Sequence, residues 1–409
     1  MTQGWGRRAA TLTVMIAVMA SPAAAQRPYD EVVRDLKSTD PDTRVAALRV
    51  LGAASYPESM APIASLLTDP LDAIQFETIN TLLGFVLVDK VATKKRVALV
   101  VEVRDKTSAQ AAFDMGPFVL LPRPVVPEVV HGLQGAMRDD NPRVRLEATY
   151  ALGVLARPPV DAAVADILGA ALRDPEVKIR IAAARVAGGL RAIAAGEALI
   201  EAVNDKNPEV KVAALRAIGD VKDLRALQAL REQYEFYQKG PIAEAAFDAL
   251  ARIGHESSVP VFQAQLTSKH TLMRRWAAEG LGRSGSAALS LPTLDDGVAK
   301  EKDQATRLAF AFALQSVGRP QLPLLVEGLR NEQTEAQAMA YLVELGQPVA
   351  RPLGASLADP DAKQRARVAM TLGLIGGQDA IAALDRAKQD ADTDTARAIE
   401  RALARARMR

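Results

Sequence analysis

Asn141-Pro142-Arg143-Val144-Arg145-Leu146-Glu147-Ala148-Thr149-Tyr150-Ala151-Leu152-Gly153 decides the fold. It opens with a capping acceptor and a proline suited to the first helical position, runs through small apolar residues and closes on glycine. The same wording returns at Pro41 to Gly52, Pro175 to Gly188, Pro208 to Gly219, Met273 to Gly282 and Pro360 to Gly373, with weaker copies ending at Gly84, Gly254, Gly318 and Gly346. The ten glycines stand 27 to 36 residues apart, except for a gap of 69 between Gly84 and Gly153 that has room for two units. Self-similarity at such a period marks an array of helical units.

Each copy reads as the second helix of a pair. Asp40, Asp69, Asn141, Asp174, Asn207 and Asp359 precede a proline and suit the N-cap, and the closing glycine suits the C-terminal stop. Apolar-periodic stretches between copies, such as Pro57 to Leu67 and Val160 to Leu168, supply the first helices. Counting ten positions back from each glycine gives a fifth column of Ala47, Ala148, Ala183, Ala214, Ala249, Ala277 and Ala313, which predicts close helix approach. At about 100° per residue the first, fifth, sixth, eighth and ninth columns form one broad apolar stripe. A lone helix pair cannot bury such a stripe, so neighbouring pairs must stack.

These copies resemble HEAT repeats, and the V-R-x-x-A-A-x-A-L-G wording is closest to the HEAT-like repeats of bilin lyases. The resemblance covers nearly all of residues 30 to 390. It implies an all-α fold, a right-handed α-solenoid of about eleven stacked antiparallel helix pairs, HEAT/armadillo-like, whose second helices line a concave binding face.

Composition sets the surroundings. Residues 1–25 read as a signal peptide: Arg7 and Arg8, an apolar run from Ala9 to Ala20, and a small-residue cleavage site at Ala23 to Ala25. The mature chain, 26–409, is expected to be soluble in the periplasm or secreted, with no integral membrane segment, because no apolar run reaches the roughly 20 residues of a spanning helix. Cysteine is absent, so packing must supply the stability. The chain has 51 basic and 49 acidic residues, and 51 minus Arg7 and Arg8 leaves 49 against 49. That balance argues against nucleic acid as partner.

Four features invite a functional reading. Arg44, Arg145, Arg180, Lys211, Arg274 and Arg365 form a basic second column inside the apolar arc. A charge placed there needs a partner, which predicts a structural ladder with Asp40, Asp140, Asp174, Asp205 and Asp359 of the preceding turns. Trp276 and Phe312 share the fourth column of adjacent repeats and, with Phe310 nearby, make a candidate partner-binding patch; gap-filling in irregular repeats is the competing reading. An insertion at 105–127 carries Phe113 and Phe118 and serves either to bind a partner or to fold back over Leu99, Val101 and Val103. Residues 393–409 are read as a polar capping helix.

No catalytic motif stands out, no metal or cofactor is expected, and the only histidines are His131, His255 and His270. The repeats also resemble those of deoxyhypusine hydroxylase, but a single His-Glu dipeptide, His255-Glu256, departs from its several. The expected function is that of an exported scaffold or adaptor binding another protein through its concave face, not an enzyme. The alternative is a bilin-lyase-like protein that binds a small molecule or chromophore.

Overall fold

The computed structural model describes residues 27–87, 108–116, 120–121, 123–389 and 391–407. The leader read at 1–25, Leu99, Val101, Val103 and Phe118 lie outside the described residues. Among the described residues the regular elements are helices, and one isolated antiparallel bridge joins Leu87 to Leu120.

The pairs begin with α1 (Tyr29–Asp35) and α2 (Pro41–Ala53), then α3 (Met60–Ala64) and α4 (Asp72–Val86). The inserted α5 (Ala109–Asp114) precedes α6 (Pro127–Ala136) and α7 (Pro142–Leu155), α8 (Ala162–Ala171) and α9 (Val177–Gly189), and α10 (Gly196–Ala202) and α11 (Pro208–Val221). Next come α12 (Leu227–Tyr237) with α13 (Pro241–Ile253), α14 (Val259–Gln265) with α15 (Thr271–Arg283), and α16 (Ala287–Lys300) with α17 (Gln304–Ser316). The last are α18 (Leu322–Gly328) with α19 (Glu335–Leu345), α20 (Gln347–Gly354) with α21 (Ala362–Ile375), and α22 (Gly377–Lys388) with α23 (Thr393–Ala406). Second helices pack on second helices from α2 to α23, and first helices such as α3 and α6, α8 and α10, or α20 and α22 pack in the other layer. The result is an all-α, two-layered solenoid of eleven described pairs around one apolar core running from Val32 to Leu403.

Among the described residues the 69-residue gap holds one stacked pair, α6 and α7, preceded by the short α5. α4 packs directly on α7 and α3 on α6, so the stack is continuous there. At the other end α23 is the second helix of the final pair, its first turn capped by Asp392, which accepts from the Asp394 and Thr395 amides.

Helix starts divide the Asp and Asn residues that precede proline into two kinds. Asp40, Asn141 and Asn207 are N-caps with proline at the first helical position, their side chains accepting from Thr43, Arg143 and Glu209 amides. Each such cap contributes about 1 kcal/mol. Asp69, Asp174 and Asp359 instead stand before the turn and accept the amides of Leu71, Glu176 and Asp361 two residues on. Helix α4 starts after Leu71, α9 after Glu176 and α21 after Asp361, so these three carboxylates are left facing the previous repeat.

The closing glycine is a packing device more often than a stop. Gly52, Gly153, Gly188, Gly219, Gly282 and Gly373 all lie inside their helices. A Cβ at Gly188 would stand 2.9 Å from the Ala217 Cα, one at Gly219 2.9 Å from the Ala249 Cα, one at Gly282 2.6 Å from the Ala313 Cα, and one at Gly373 2.8 Å from the Ala402 Cα. Only a residue without a side chain lets the next second helix come that close. Gly254, by contrast, caps α13 at φ +63, and Gly318 lies beyond α17 at φ +88.

This contact corrects the register of the weaker copies. Ala217 precedes Gly219 by two residues, yet the equivalent alanines Ala249 and Ala313 precede Gly254 and Gly318 by five. Gly254 and Gly318 therefore lie three residues beyond the packing position, and the expected fifth column mixes positions about 60° apart on one buried face.

Candidate interaction surface

The basic column makes contact across repeats, to acids one unit further on. Arg44 pairs with Asp69 at 2.9 Å, Arg145 with Asp174 at 2.8 Å, Arg180 with Asp205 at 2.8 Å, Arg274 with Glu301 at 2.7 Å and Arg365 with Asp392 at 2.5 Å. In each case Nη1 also donates to carbonyls of the preceding turn, as from Arg145 to Asp139 and Asp140. The expected acids are partly replaced: Asp40 is a cap, Asp140 offers its carbonyl, and Asp359 pairs with Arg330. Asp174 and Asp205 serve the arginine before them rather than the one after.

Two steps use other chemistry. Between α4 and α7 the Gln75 amide donates to Asp139 at 2.8 Å, and Lys211 holds its ammonium 5.7 Å from the Tyr237 ring centroid. The ladder carboxylates respond as buried pairs do. Burial raises Asp205, but the Arg180 guanidinium and the Asn207 amide outweigh it and hold the group below its ordinary value. Glu301 is held low chiefly by Arg274. These arginines are committed to the stack, which removes the basic column from the list of partner contacts.

The aromatic patch is not assembled as expected. Phe310 and Phe312 are only 2% and 1% exposed, while Trp276 on α15 is half-buried against the core. The register of α17 is shifted: Phe312 sits three positions along from the equivalent of Trp276, a net turn of about 60°, and that turn carries it into the core. Phe312 stacks on Tyr341 of α19 at 4.4 Å between centroids, and the Arg283 guanidinium lies 5.3 Å above it.

A charged network surrounds that stack. Arg283 of α15 binds Glu344 of α19 at 2.8 Å and Glu279 at 3.2 Å, and Arg275 reaches Glu279 at 3.1 Å. The Tyr341 hydroxyl donates to Glu279, and Gln337 Nε2 donates to the Tyr341 oxygen at 2.6 Å. α15 thus grips α19 across the intervening α17. Toward the other side, Arg252 of α13 holds Asp248 at 2.9 Å and Asp220 of α11 at 2.5 Å, and Lys222 approaches Glu344 at 3.6 Å. Burial pushes Asp248 above its ordinary value, and burial with the Glu279 charge pushes Tyr341 well up. Burial lowers Arg283 but the Glu344 and Glu279 carboxylates outweigh it, so the guanidinium is held charged.

Sequence reading missed this cluster, although half of it is visible. Arg275, Glu279 and Arg283 are spaced at i, i+4, i+8 on one helix, with an acid in an otherwise apolar stretch. Their partners on α19 lie about 60 residues away and carry no local mark.

The insertion lands on the same layer. Leu121 N–H donates to the Val86 carbonyl at 2.7 Å and Arg123 to the Phe85 carbonyl at 2.9 Å, tying it to α4. α5 lies against α7, its Ala109 N–H donating to Glu147 at 2.8 Å, with Ala109 and Ala112 buried. Phe113 packs at Gly153 and Gly189, 5.6 Å from the Tyr150 ring. Arg185 of α9 lies 5.4 Å over Phe113, donates to the Tyr150 hydroxyl at 3.2 Å and pairs with Asp114 at 2.5 Å.

Elsewhere, a cavity of about 450 Å³ borders the turns at Asp174 and Asp205, and one of about 520 Å³ borders the opposite turns at Pro159, Ile193 and Asp223. His255 accepts from the Ser257 amide at 3.2 Å and so caps a 3-10 turn. Among the described residues no helix is long and apolar enough to cross a membrane.

The family model for HEAT repeats matches residues 165–235 and 239–315. No curated protein matches the chain in sequence. Among solved structures, an engineered protein is 19% identical over 93% of this chain and 98% of its own, with a TM-score of 0.44. YibA of Escherichia coli is 18% identical over 71% of this chain and 92% of its own, at a TM-score of 0.41. The complex of CpcE and CpcF of phycocyanin lyase from a Nostoc species is 18% identical over 60% of this chain and 95% of its chain, at a TM-score of 0.41.

Proposed function

This is a HEAT-repeat protein, and from that premise we propose that it is an exported scaffold or adaptor, not an enzyme, working in the periplasm or outside the cell. It binds another protein through the face made by its second helices, the concave side in proteins of this family. The observation that supports the reading is the cluster at α13–α19. A half-buried Trp276 stands beside Arg275, whose side chain is 31% exposed and already held by Glu279. Tryptophan, tyrosine and arginine dominate the energetics of protein interfaces, and side chains fixed beforehand lose little freedom on binding.

A small-molecule or chromophore site would call for a deep pocket with converging polar groups. The two cavities described above sit at the turns, away from this face, so a protein partner is the better fit.

The test is affinity capture of the mature chain from the native envelope fraction, with Trp276→Ala alongside. The variant should capture at least tenfold less partner while melting within a few degrees of the wild type. Undiminished capture would refute the face, and a large fall in melting temperature would make Trp276 a packing residue. Export is tested separately, by fractionating cells that make the full chain and sequencing the N-terminus of the recovered protein, expected near Gln26.

A further inference from the structure

We propose that α5 is a ligand carried in cis: it occupies a peptide site on the α7–α9 face, and the partner recognised there presents the same chemistry, an aromatic residue followed by an acid on a short helical turn. The inference rests on the reading that the second-helix face binds protein.

The site is built from the repeats themselves. Gly153 and Gly189 leave the socket: a Cβ at Gly153 would stand 2.8 Å from the Phe113 ring, and one at Gly189 3.3 Å. Tyr150 forms a wall, and Arg185 closes the top while pairing with the acid that follows the aromatic. Glu147 receives the first helical amide of α5. Every one of these groups belongs to α7 or α9, and all of them answer a feature of the segment Ala109-Gln110-Ala111-Ala112-Phe113-Asp114.

α5 is an appendage to the stack, not a course in it. α4 packs directly on α7 and α7 on α9, so the solenoid continues without it. Its charged contact is of the weak kind, because the Arg185 and Asp114 side chains are 36% and 42% exposed. A six-residue helix held by one aromatic, two buried alanines, one amide bond to Glu147 and an exposed ion pair, lying on a face that otherwise serves binding, acts as a stopper. A partner segment of the same type competes with it, and the intramolecular tether gives α5 a high effective concentration that the partner must overcome.

The experiment uses a fluorescent synthetic peptide of residues 108–116, titrated by anisotropy into the full chain. Phe113→Ala vacates the socket, and this variant should bind the peptide saturably and at least tenfold more tightly than the wild type. The same peptide with alanine in place of its phenylalanine should not bind. Adding Gly189→Val to Phe113→Ala refills the socket and should abolish binding, since Phe113 is the neighbour that a side chain there would meet. Asp114→Arg, which opposes Arg185 from an exposed position, is the second variant and should also admit the peptide.

Equal binding by wild type and Phe113→Ala, or no binding to either folded variant at millimolar peptide, overturns the proposal. So does failure of both variants to fold, which would make α5 a structural part. Because the peptide is the chain's own segment, these outcomes are independent of the scaffold reading. Peptide binding without any captured partner counts against the scaffold, and partner capture unchanged by Phe113→Ala counts against the stopper.

Discussion

Helices α7 to α11 and helices α13 to α19 are built from the same repeat but joined differently. In the first region each junction is closed by a neighbour: Arg145 to Asp174, Arg180 to Asp205, and Gly188 against Ala217. In the second, α15 packs on α17 through Gly282 and also reaches past it, holding α19 through Arg283 to Glu344 and Glu279 to Tyr341. The first region is close to a one-dimensional stack, whose stability is a sum over adjacent pairs. The second ties repeats seven to nine into a block that must open together. In the second arrangement side chains such as Arg283 and Tyr341 are positioned by two helices at once.

The largest way to break this contrast is to remove a rung. Arg145→Ala leaves Asp174, whose side chain is 10% exposed, without its guanidinium, and should cost about 3–5 kcal/mol in urea unfolding. Lys211→Ala, at the step where a ring replaces the acid, should cost no more than about 1 kcal/mol. Titration probes the same pairs. Asp205, Glu301 and Asp392 lie below their ordinary values, so their contribution is complete above 3.8 for the aspartates and 4.5 for the glutamate, and is lost as pH falls through the lower folded values. Asp248 runs the other way: its raised folded value gives a contribution present in acid and lost as pH rises through it. Hydrogen exchange resolved by segment should therefore show α9 and α11 losing protection in acid before α13.

Next in size is Gly282→Val, which drives a side chain into the Ala313 backbone at the α15–α17 contact and should cost about 3 kcal/mol. Tyr341→Phe removes the hydroxyl that Glu279 accepts from and should cost about 2 kcal/mol. If α15 to α19 is one block, Tyr341→Phe also broadens the unfolding transition, whereas an unchanged single transition would reduce the clamp to a local contact. The smallest effect is a gain: Gly84 lies inside α4 with open space around it, so Gly84→Ala should stabilise by about 0.5–1 kcal/mol. A loss there would place Gly84 with the packing glycines after all.

Residues close in sequence made the repeat readable. Asn141-Pro142 and Asn207-Pro208 announce helix starts through bonds that span two or three residues, and the arginine column at an apolar position requires a counter-charge wherever it lies. Period, helical class and the need to stack follow from such short-range physics. Which acid answers each arginine does not, because the choice depends on how far one turn is displaced from the next. The same holds for the glycines: a glycine that stops a helix and a glycine that admits a neighbour look alike until the neighbour's Cα is in place, and the three-residue offset of Gly254 and Gly318 sends Phe312 to the core rather than the surface.

Local chemistry thus determined the helices, their pairing and their two-layered order, since capping, periodicity and the burial of an apolar stripe act over a turn or two. Only the assembled stack decided that α5 fills a socket between α7 and α9 and that Glu279 meets Tyr341, because the first contact unites an insertion with two separate repeats and the second joins residues 62 positions apart. Tertiary proximity of that kind depends on the summed geometry of every intervening pair, and no single segment encodes it.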